Sequence, residues 1–242
     1  MNDVIFRELG LVPYKEAWEL QEELFARIVA VKRHNKHHPE QKRQSDDYLL
    51  FCEHPPVYTL GKSGHLSNLL LEKEKLNALG IEYFKINRGG DITFHGPGQL
   101  VAYPILDLDH FFKDISRYMR TLEEVIIRSL HDFGIAAGRL RGATGVWLDP
   151  DDPLRARKIC AMGVRSSRWV TMHGWALNVH TDLAYFNHII PCGIADKSVT
   201  SMEKELGAAP DMQAVKDALK RHFEEAFACR LLEEKAEDEK RH

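Results

Sequence analysis

Apolar residues recur at helical spacing in three long segments of this chain. The first covers residues 14–31, the second residues 114–133, and the third begins at Asp211. In each, charged residues separate the apolar ones, as on a helix with one face in a core. The pattern therefore predicts three amphipathic helices. The apolar stripe of the first consists of Trp18, Leu24, Phe25, Ile28 and Val29.

A basic polar stretch follows the first helix, over about residues 32–47. Asn35 and Pro39 are poor helix formers, so we expect the helix to have stopped before them. In a continued helix, His34 and His38 would share one face and could hold a metal. We predict a solvated loop instead, and no metal site.

Short apolar segments bounded by glycine and proline predict strands. Between them, residues 69–79 predict a short helix, and the capping box of Thr200 and Glu203 predicts another. Without an internal repeat or a linker, the chain is expected to form a single α+β domain over residues 1–242, with a charged tail from about 233. The predicted strands are 48–54, 57–61, 81–86, 92–95, 100–108, 145–148, 158–164 and 174–179.

The composition excludes several classes of protein. The 242 residues include 44% hydrophobic and 29% charged residues, typical of a globular protein and not of a disordered, collagen-like or coiled-coil chain. The net charge of −3 gives no basic excess for coating nucleic acid. No apolar run approaches the ~20 residues of a membrane span, and the N-terminus does not resemble a secretory signal. We therefore expect a cytoplasmic protein without nucleic-acid or membrane partners.

Four cysteines are candidate nucleophiles, and their spacing fits no zinc site. Cys52 and Cys160 lie in predicted strands and Cys229 on the last predicted helix, where thiols usually pack. Cys192 stands between a proline and a glycine, which would display it on a turn. A thiol needs a nearby cation or base to form a thiolate at neutral pH. From the residues alone that partner is open; the candidates are Lys158, His95, His173 and His188.

Glycines are concentrated in residues 88–99, RGGDITFHGPGQ. Two tight turns of this kind bring bare backbone to a surface and allow close approach of a substrate. Two hairpin turns would explain the glycines equally well. They would not explain why polar residues are concentrated in the same segment, namely Arg88, Thr93, His95 and Gln99. No phosphate-binding loop of the P-loop type is present, so no standard nucleotide site is indicated.

Five sequence blocks in order resemble the lipoyl(octanoyl) transferase family. They are EHPPVYTLG at 53–61, RGGDITFHGPGQ at 88–99, KICAMG at 158–163, HGWALNV at 173–179 and IPCGI at 190–194. The resemblance covers about residues 48–204, and five blocks in the same order make it specific. It implies the fold of the biotin and lipoate protein ligases, a mixed β-sheet with surrounding helices.

The resemblance also implies an activity. An octanoyl group would pass from octanoyl-acyl carrier protein to a lysine of a lipoyl domain, as in 2-oxoacid dehydrogenase E2 subunits and the glycine cleavage H protein. Cys192 would carry the acyl group and Lys158 would assist it, with no cofactor and no metal. The implied substrate-binding residues are Arg88, Gly89, Gly90, Asp91, Ile92, Thr93, Phe94, His95, Ala161, Met162, Gly163, Gly174, Trp175 and Ala176.

The chain departs mildly from the family pattern. Cys160 replaces a small residue such as alanine, and Asp91 often has a non-acidic counterpart. Trp175 is bulkier than the usual leucine and could shorten the acyl pocket. Two other functions compete with the transferase: an ATP-dependent lipoate or biotin ligase of the same fold, and a non-catalytic module that binds carrier protein.

Overall fold

A computed structural model describes residues 1–190 and 198–234. Within these residues the strands are β1 (Asn2–Leu11), β2 (Tyr48–Glu53), β3 (Val57–Leu60), β4 (Glu82–Lys85), β5 (Ile92–His95), β6 (Gln99–Ile105), β7 (Val146–Leu148), β8 (Arg157–Ser167), β9 (Val170–Asn178), β10 (Ser198–Val199) and β11 (Cys229–Glu233). The helices are α1 (Tyr14–His37), α2 (Lys73–Ala78), α3 (Ile115–Asp132), α4 (Met202–Leu206) and α5 (Met212–Phe227), with short 3-10 turns between some elements.

The strands form two sheets. The large one has eight strands in the order β10-β8-β9-β6-β2-β1-β11, with β7 paired to β8. Parallel pairs lie at its two ends, and the central pairs β2–β6, β6–β9 and β8–β9 are antiparallel. The small sheet has the order β4-β3-β5. This mixed sheet with helices confirms the predicted α+β class.

Helices cover both faces of the large sheet. On one face, apolar residues of α3 and α5 such as Leu122 and Phe223 pack against sheet residues such as Phe51. On the other face, α1 packs Leu24 and Ile28 against the sheet. Because alternate residues of a strand point to opposite faces, each central strand contributes to both cores.

The predicted helices after residues 114 and 211 are present where their patterns place them. The side chains of Asp114 and Asp211 accept hydrogen bonds from backbone N–H groups of the first turns of α3 and α5. Gly134, at φ +77°, follows α3 in the left-handed conformation that glycine adopts without strain. Local sequence signals therefore determine these helix ends.

The prediction that the first helix stops near residue 31 is wrong. α1 continues to His37, and a 3-10 turn Pro39–Gln41 follows it. The proline sets the limit, because it disfavours helical backbone in the residue before it. The Asn35 side chain exchanges hydrogen bonds with the backbone of Arg43 and holds the following loop against the helix. The loop is therefore shorter than the predicted 32–47.

Three outer strands, β1, β10 and β11, were not predicted from the sequence. β1 and β11 pair in parallel, with Asn2 opposite Cys229, and complete one edge of the large sheet. Cys229 thus begins a strand and does not lie on the last helix as predicted. The cap of α4 also differs: Ser201 Oγ accepts the hydrogen bond from the Lys204 N–H, one position after the predicted Thr200.

No helix in the described part of the chain is both long and apolar enough to cross a membrane.

Candidate active site

A cavity lies between the large sheet and the small one, and we call it the first cavity. Its floor is made of the smallest side chains of two neighbouring strands. Ala161 of β8 faces Ala176 of β9, and Gly163 faces Gly174. Directly opposed residues of an antiparallel pair lie on the same face of the sheet, so these four positions form a continuous shallow trough. The stem of Arg88 and the backbone of Gly89 lie over the Gly163 end of this trough.

Gly174 is also required by the packing of the sheet itself. A Cβ at this position would lie 2.2 Å from the Ala102 carbonyl oxygen and 2.6 Å from Pro104 Cδ, both in β6. We expect Gly174→Ala to cost about 3 kcal/mol of folding free energy, the upper part of the usual range for overpacking. For a chain of this size that lowers the melting temperature by roughly 6–12 °C.

Differential scanning calorimetry measures this loss. Gly89→Ala is the matched control, because the nearest atom to its Cβ would be the Val164 carbonyl oxygen at 3.4 Å. Equal melting temperatures for the two variants would contradict the packing argument.

Most of the predicted substrate-binding residues line the first cavity. Phe94 does not: it points to the opposite face of β5, where its ring stacks on Tyr185 at 4.5 Å between centroids. Gly89 lines a neighbouring cavity instead. The predicted residues that do line the first cavity are Arg88, Gly90, Asp91, Ile92, Thr93, His95, Ala161, Met162, Gly163, Gly174, Trp175 and Ala176, together with Lys158.

Trp175 does not shorten the cavity with its ring. The indole lies on the helix side of the large sheet, 6.3 Å from the Phe51 ring and 6.4 Å from the Phe223 ring between centroids. The alternation of β9 places it there, because Gly174 and Ala176 on either side face the cavity. The bulk of Trp175 therefore fills the core, not the first cavity.

Arg88 ties the glycine-rich segment to the small sheet. Its Nη2 donates hydrogen bonds to the Thr59 carbonyl oxygen at 2.7 Å and to Thr59 Oγ1 at 3.0 Å, and Nη1 donates to the Gly89 carbonyl oxygen at 2.9 Å. Its stem lies so close to Gly163 that a Cβ there would be 3.2 Å from Arg88 Cδ. Arg88 therefore sets the distance between the two sheets at the first cavity.

His95 is buried and neutral. Burial is the main reason that its pKa lies well below the ordinary value. Gln99 Nε2 donates to the Phe94 carbonyl oxygen and to Asn178 Oδ1, so Gln99 Oε1 must accept from His95 Nδ1, at 2.8 Å. His95 Nε2, 3.3 Å from Thr59 Oγ1, then accepts from that hydroxyl. With both ring nitrogens engaged, His95 holds the cavity wall and supplies no charge to a thiol.

His173 is also neutral at pH 7. Burial, together with the charge of Arg88, lowers its pKa to about 3. Its Nε2 lies 2.7 Å from Asn87 Oδ1, which accepts the ring proton. Neither His173 nor His95 thus provides the cation that a thiolate would need at this site.

The hydrogen-bond chain from His95 ends at the strand of Lys158. Asn178 Nδ2 donates to the Thr200 carbonyl oxygen at 3.0 Å, and the Thr200 N–H donates to the Lys158 carbonyl oxygen at 2.9 Å. The cavity wall and the backbone of Lys158 are therefore held by one continuous polar network. Such networks are rigid when every member is satisfied.

Lys158 lies where two cavities meet. Its backbone pairs with Trp147 of β7 on one side and with Val199 of β10 on the other. Its Nζ lies 4.7 Å from the centroid of the Trp147 ring, in a cation–π contact. The half-buried side chain lines both the first cavity and the neighbouring one.

Cys192 lies outside the described residues, and the prediction that it is the nucleophile stays a prediction. The other three cysteines are poor candidates. Burial raises the pKa of the Cys52 and Cys160 thiols well above the ordinary value, and raises that of Cys229 to about 12. All three are therefore protonated at neutral pH and inert as nucleophiles.

The sequence analysis missed several lining residues. The strand pattern could have predicted some of them. Gln99, Val101 and Tyr103 share one face of β6, and Ala176 and Asn178 share one face of β9, because residues two apart in a strand point to the same side. Tyr14 gave no such signal, because it comes from α1 and reaches the cavity only through tertiary packing. The missed residues are Tyr14, Val101, Tyr103, Asn178, Phe186 and Val199.

His34 and His38, considered above as possible metal ligands, lie at the C-terminal end of α1. The rings of His34 and His38 lie 4.7 Å apart between centroids. Among residues 1–190 and 198–234, no group of three or more His, Cys, Asp or Glu side chains is placed to hold a metal ion.

The fold and the cavity define the class of the protein. A chain from an archaeal lipoylation system, the bipartite lipoate protein ligase and its E2 lipoyl domain from Thermoplasma acidophilum, superposes with a TM-score of 0.70 at 18% identity, over 99% of this chain and 90% of that one. Lipoate-protein ligase A bound with ATP gives 0.69 at 17% identity, over 99% and 92%. The fold is therefore that of the lipoate protein ligases.

Sequence comparison assigns the family. The family model "Lipoyl protein ligase A/B catalytic domain" matches residues 13–224, and the chain belongs to that family. It is 55% identical over 231 residues to the octanoyltransferase of Cytophaga hutchinsonii, covering 95% of each chain. It is 53% identical over 234 residues to the octanoyltransferase of Flavobacterium psychrophilum, covering 96% of this chain and all of the relative.

Proposed function

We propose that this chain transfers an octanoyl group from octanoyl-acyl carrier protein to a lysine of a lipoyl domain in the cytoplasm, through an acyl thioester on Cys192. Octanoyl transfer in protein lipoylation is the activity of this chain, as its relatives and family indicate. The enzyme is an acyltransferase, and its acceptor is a lipoyl domain. The donor, the thioester and the residue roles are the proposed part.

One observation carries the residue roles. Lys158 lines a cavity with a floor of glycine and alanine, and it lies on the strand that pairs with β10. β10 is where the chain continues after the segment that contains Cys192. On the other side of that segment, the Ile190 N–H donates to the Asn68 carbonyl oxygen, and Asn68 Nδ2 donates to Asp91 of the cavity wall. The flanks of this segment thus support a thiol that works at the first cavity.

In the first half-reaction the Cys192 thiolate attacks the carbonyl carbon of the donor thioester. A carbon–sulfur bond to Cys192 forms and the bond to the donor sulfur breaks. The Lys158 ammonium stabilises the Cys192 thiolate before the attack and gives its proton to the departing thiolate of the donor, which leaves as a thiol. Exchange of one thioester for another is nearly isoenergetic, so this step needs no ATP.

In the second half-reaction the amine of the acceptor lysine attacks the acyl-enzyme. An amide forms and the Cys192 thiolate leaves. Lys158, neutral after the first step, takes the proton that the amine must lose, which restores the starting state. Conversion of a thioester to an amide is downhill and makes the overall transfer favourable.

Mass spectrometry of the intact protein after mixing with octanoyl-acyl carrier protein tests the proposal. We expect an octanoyl adduct without ATP, and peptide mapping should place it on Cys192. An acyl-adenylate that forms only with ATP would indicate the ligase, and neither product would indicate a binding module. Either of these last two results would contradict the proposed mechanism.

Steady-state kinetics should be ping-pong, because a covalent intermediate separates the two half-reactions. Initial rates measured against donor concentration at several fixed acceptor concentrations should give parallel double-reciprocal lines. Intersecting lines would indicate direct attack within a ternary complex and would exclude an obligatory acyl-enzyme.

A further inference from the structure

A second cavity adjoins the first at Lys158. The two share five lining residues, which are Gly90, Lys158, Met162, Gly163 and Val199. The group that would exchange protons during transfer thus faces two separate spaces. A thioester also has two parts, an acyl chain and a thiol arm, joined at the carbonyl where reaction occurs.

The second cavity reaches the protein surface. Gly142, Thr144 and Ser198 belong to its lining and are exposed to solvent, whereas Met119 and Val164 on the inner side are half-buried. The cavity is therefore a passage from solvent to Lys158. Its wall combines apolar side chains with hydroxyl groups and with backbone amides that glycine leaves bare.

The charge of the passage limits what can occupy it. Of the described residues that line it, Lys158 alone carries a formal charge. A nucleoside triphosphate brings several negative charges, which proteins hold with multiple cations or a nest of backbone N–H groups. An uncharged arm with amide groups and methyl groups matches the lining better, because it needs only apolar contact and scattered hydrogen bonds.

We infer that the second cavity binds the pantetheine arm of the donor thioester, with the acyl chain in the first cavity and the carbonyl carbon at Lys158. The inference rests on the proposed function and names the site for the thiol half of its donor. The leaving sulfur then departs into the second cavity and takes its proton from Lys158, which lines that cavity. Once the arm has gone, the same passage is open to the side chain of the acceptor lysine.

Blocking the passage should discriminate between donors. Ala143 lies on the cavity wall, half-buried, in a turn whose N–H donates to the Leu140 carbonyl oxygen. We expect Ala143→Trp to slow acylation by octanoyl-pantetheine about tenfold or more, because the new ring occupies the path of the arm. Acylation by the ethyl thioester of octanoic acid, which lacks the arm, should stay within about twofold of the parent rate. Single-turnover mass spectrometry of the full chain measures both rates.

Ala136→Trp is the matched control, since Ala136 is exposed and lies outside the lining of both cavities. It should change neither rate. Thr144→Trp places the same ring at an exposed position of the cavity rim and should have the same effect on the two donors. It keeps the test valid if Ala143→Trp fails to fold.

Three results would overturn the inference. Rates for the two donors that fall equally in Thr144→Trp and Ala143→Trp, or that both stay unchanged, would remove the arm from this cavity. Competition of ATP, but not of free pantetheine, with octanoyl-pantetheine would assign the cavity to a nucleotide. A parent protein that neither donor acylates would overturn the proposed function and the inference with it, whereas the other results leave that function standing.

Discussion

Replacing Cys192 with serine should lower the rate of octanoyl transfer by about two orders of magnitude or more, because a hydroxyl without a dedicated base is a weak nucleophile. His95 cannot act as such a base, because both of its ring nitrogens are engaged in hydrogen bonds. Transfer assays with octanoyl-acyl carrier protein and a lipoyl domain measure the loss, and the octanoyl adduct should disappear in parallel.

The remaining cysteines provide matched controls. Cys52→Ala, Cys160→Ala and Cys229→Ala remove thiols that burial keeps protonated, so their transfer rates should stay close to that of the parent. Each removes one buried sulfur atom, so some loss of stability is expected without loss of chemistry. A serine variant of Cys192 that retains near-parent activity, combined with an inactive variant among the other three, would assign the nucleophile elsewhere.

Lys158→Ala should also reduce transfer strongly, by about a hundredfold or more, the usual contribution of a positioned acid and base. The ammonium should favour the Cys192 thiolate as well. We therefore expect iodoacetamide labelling of Cys192 to follow an apparent pKa below the free-thiol value of about 8.5 in the parent protein. In Lys158→Ala the apparent pKa should rise to that value or above it. Labelling rates measured across pH test this separately from turnover.

Lys158→Arg separates the two roles of the lysine. A guanidinium restores the positive charge but stays protonated, so it cannot accept the proton of the acceptor amine. We expect part of the thiol pKa shift to return while turnover stays low. Lys42→Ala, at an exposed position, is the control and should change neither quantity. Normal turnover and unchanged labelling in Lys158→Ala would exclude Lys158 from the mechanism.

Local sequence patterns in this chain predict much of its secondary structure. The 3.6-residue pattern and the capping aspartates determine α3 and α5, and alternation with flanking glycines determines most inner strands. The end of α1 was harder, because a weak helix former such as Asn35 costs only tenths of a kcal/mol and neighbouring contacts override it. The outer strands β1 and β11 pair with each other although they lie at opposite ends of the sequence. The local sequence of either strand therefore does not predict the pairing.

The candidate site also combines features that the sequence predicted with features that the tertiary structure decided. Residue type and order indicated the glycine-rich segment but left Lys158 as one of four candidate partners for the thiol. The resemblance to the transferase family singled out Lys158. The face on which a side chain lies was decided by strand register: Phe94 and Trp175 sit within the right blocks but point away from the first cavity.

The sequence by itself determined the α+β class, the inner strands, and the segments from which the site is built. Only the tertiary structure brought Tyr14 of α1 to the cavity, made His95 and His173 neutral by burial, and placed Lys158 between two cavities. The physical reason is that desolvation and cavity shape arise from residues far apart in the chain. The pKa of a side chain and the volume of a cavity depend on all the residues packed around them. A local sequence pattern does not specify those residues.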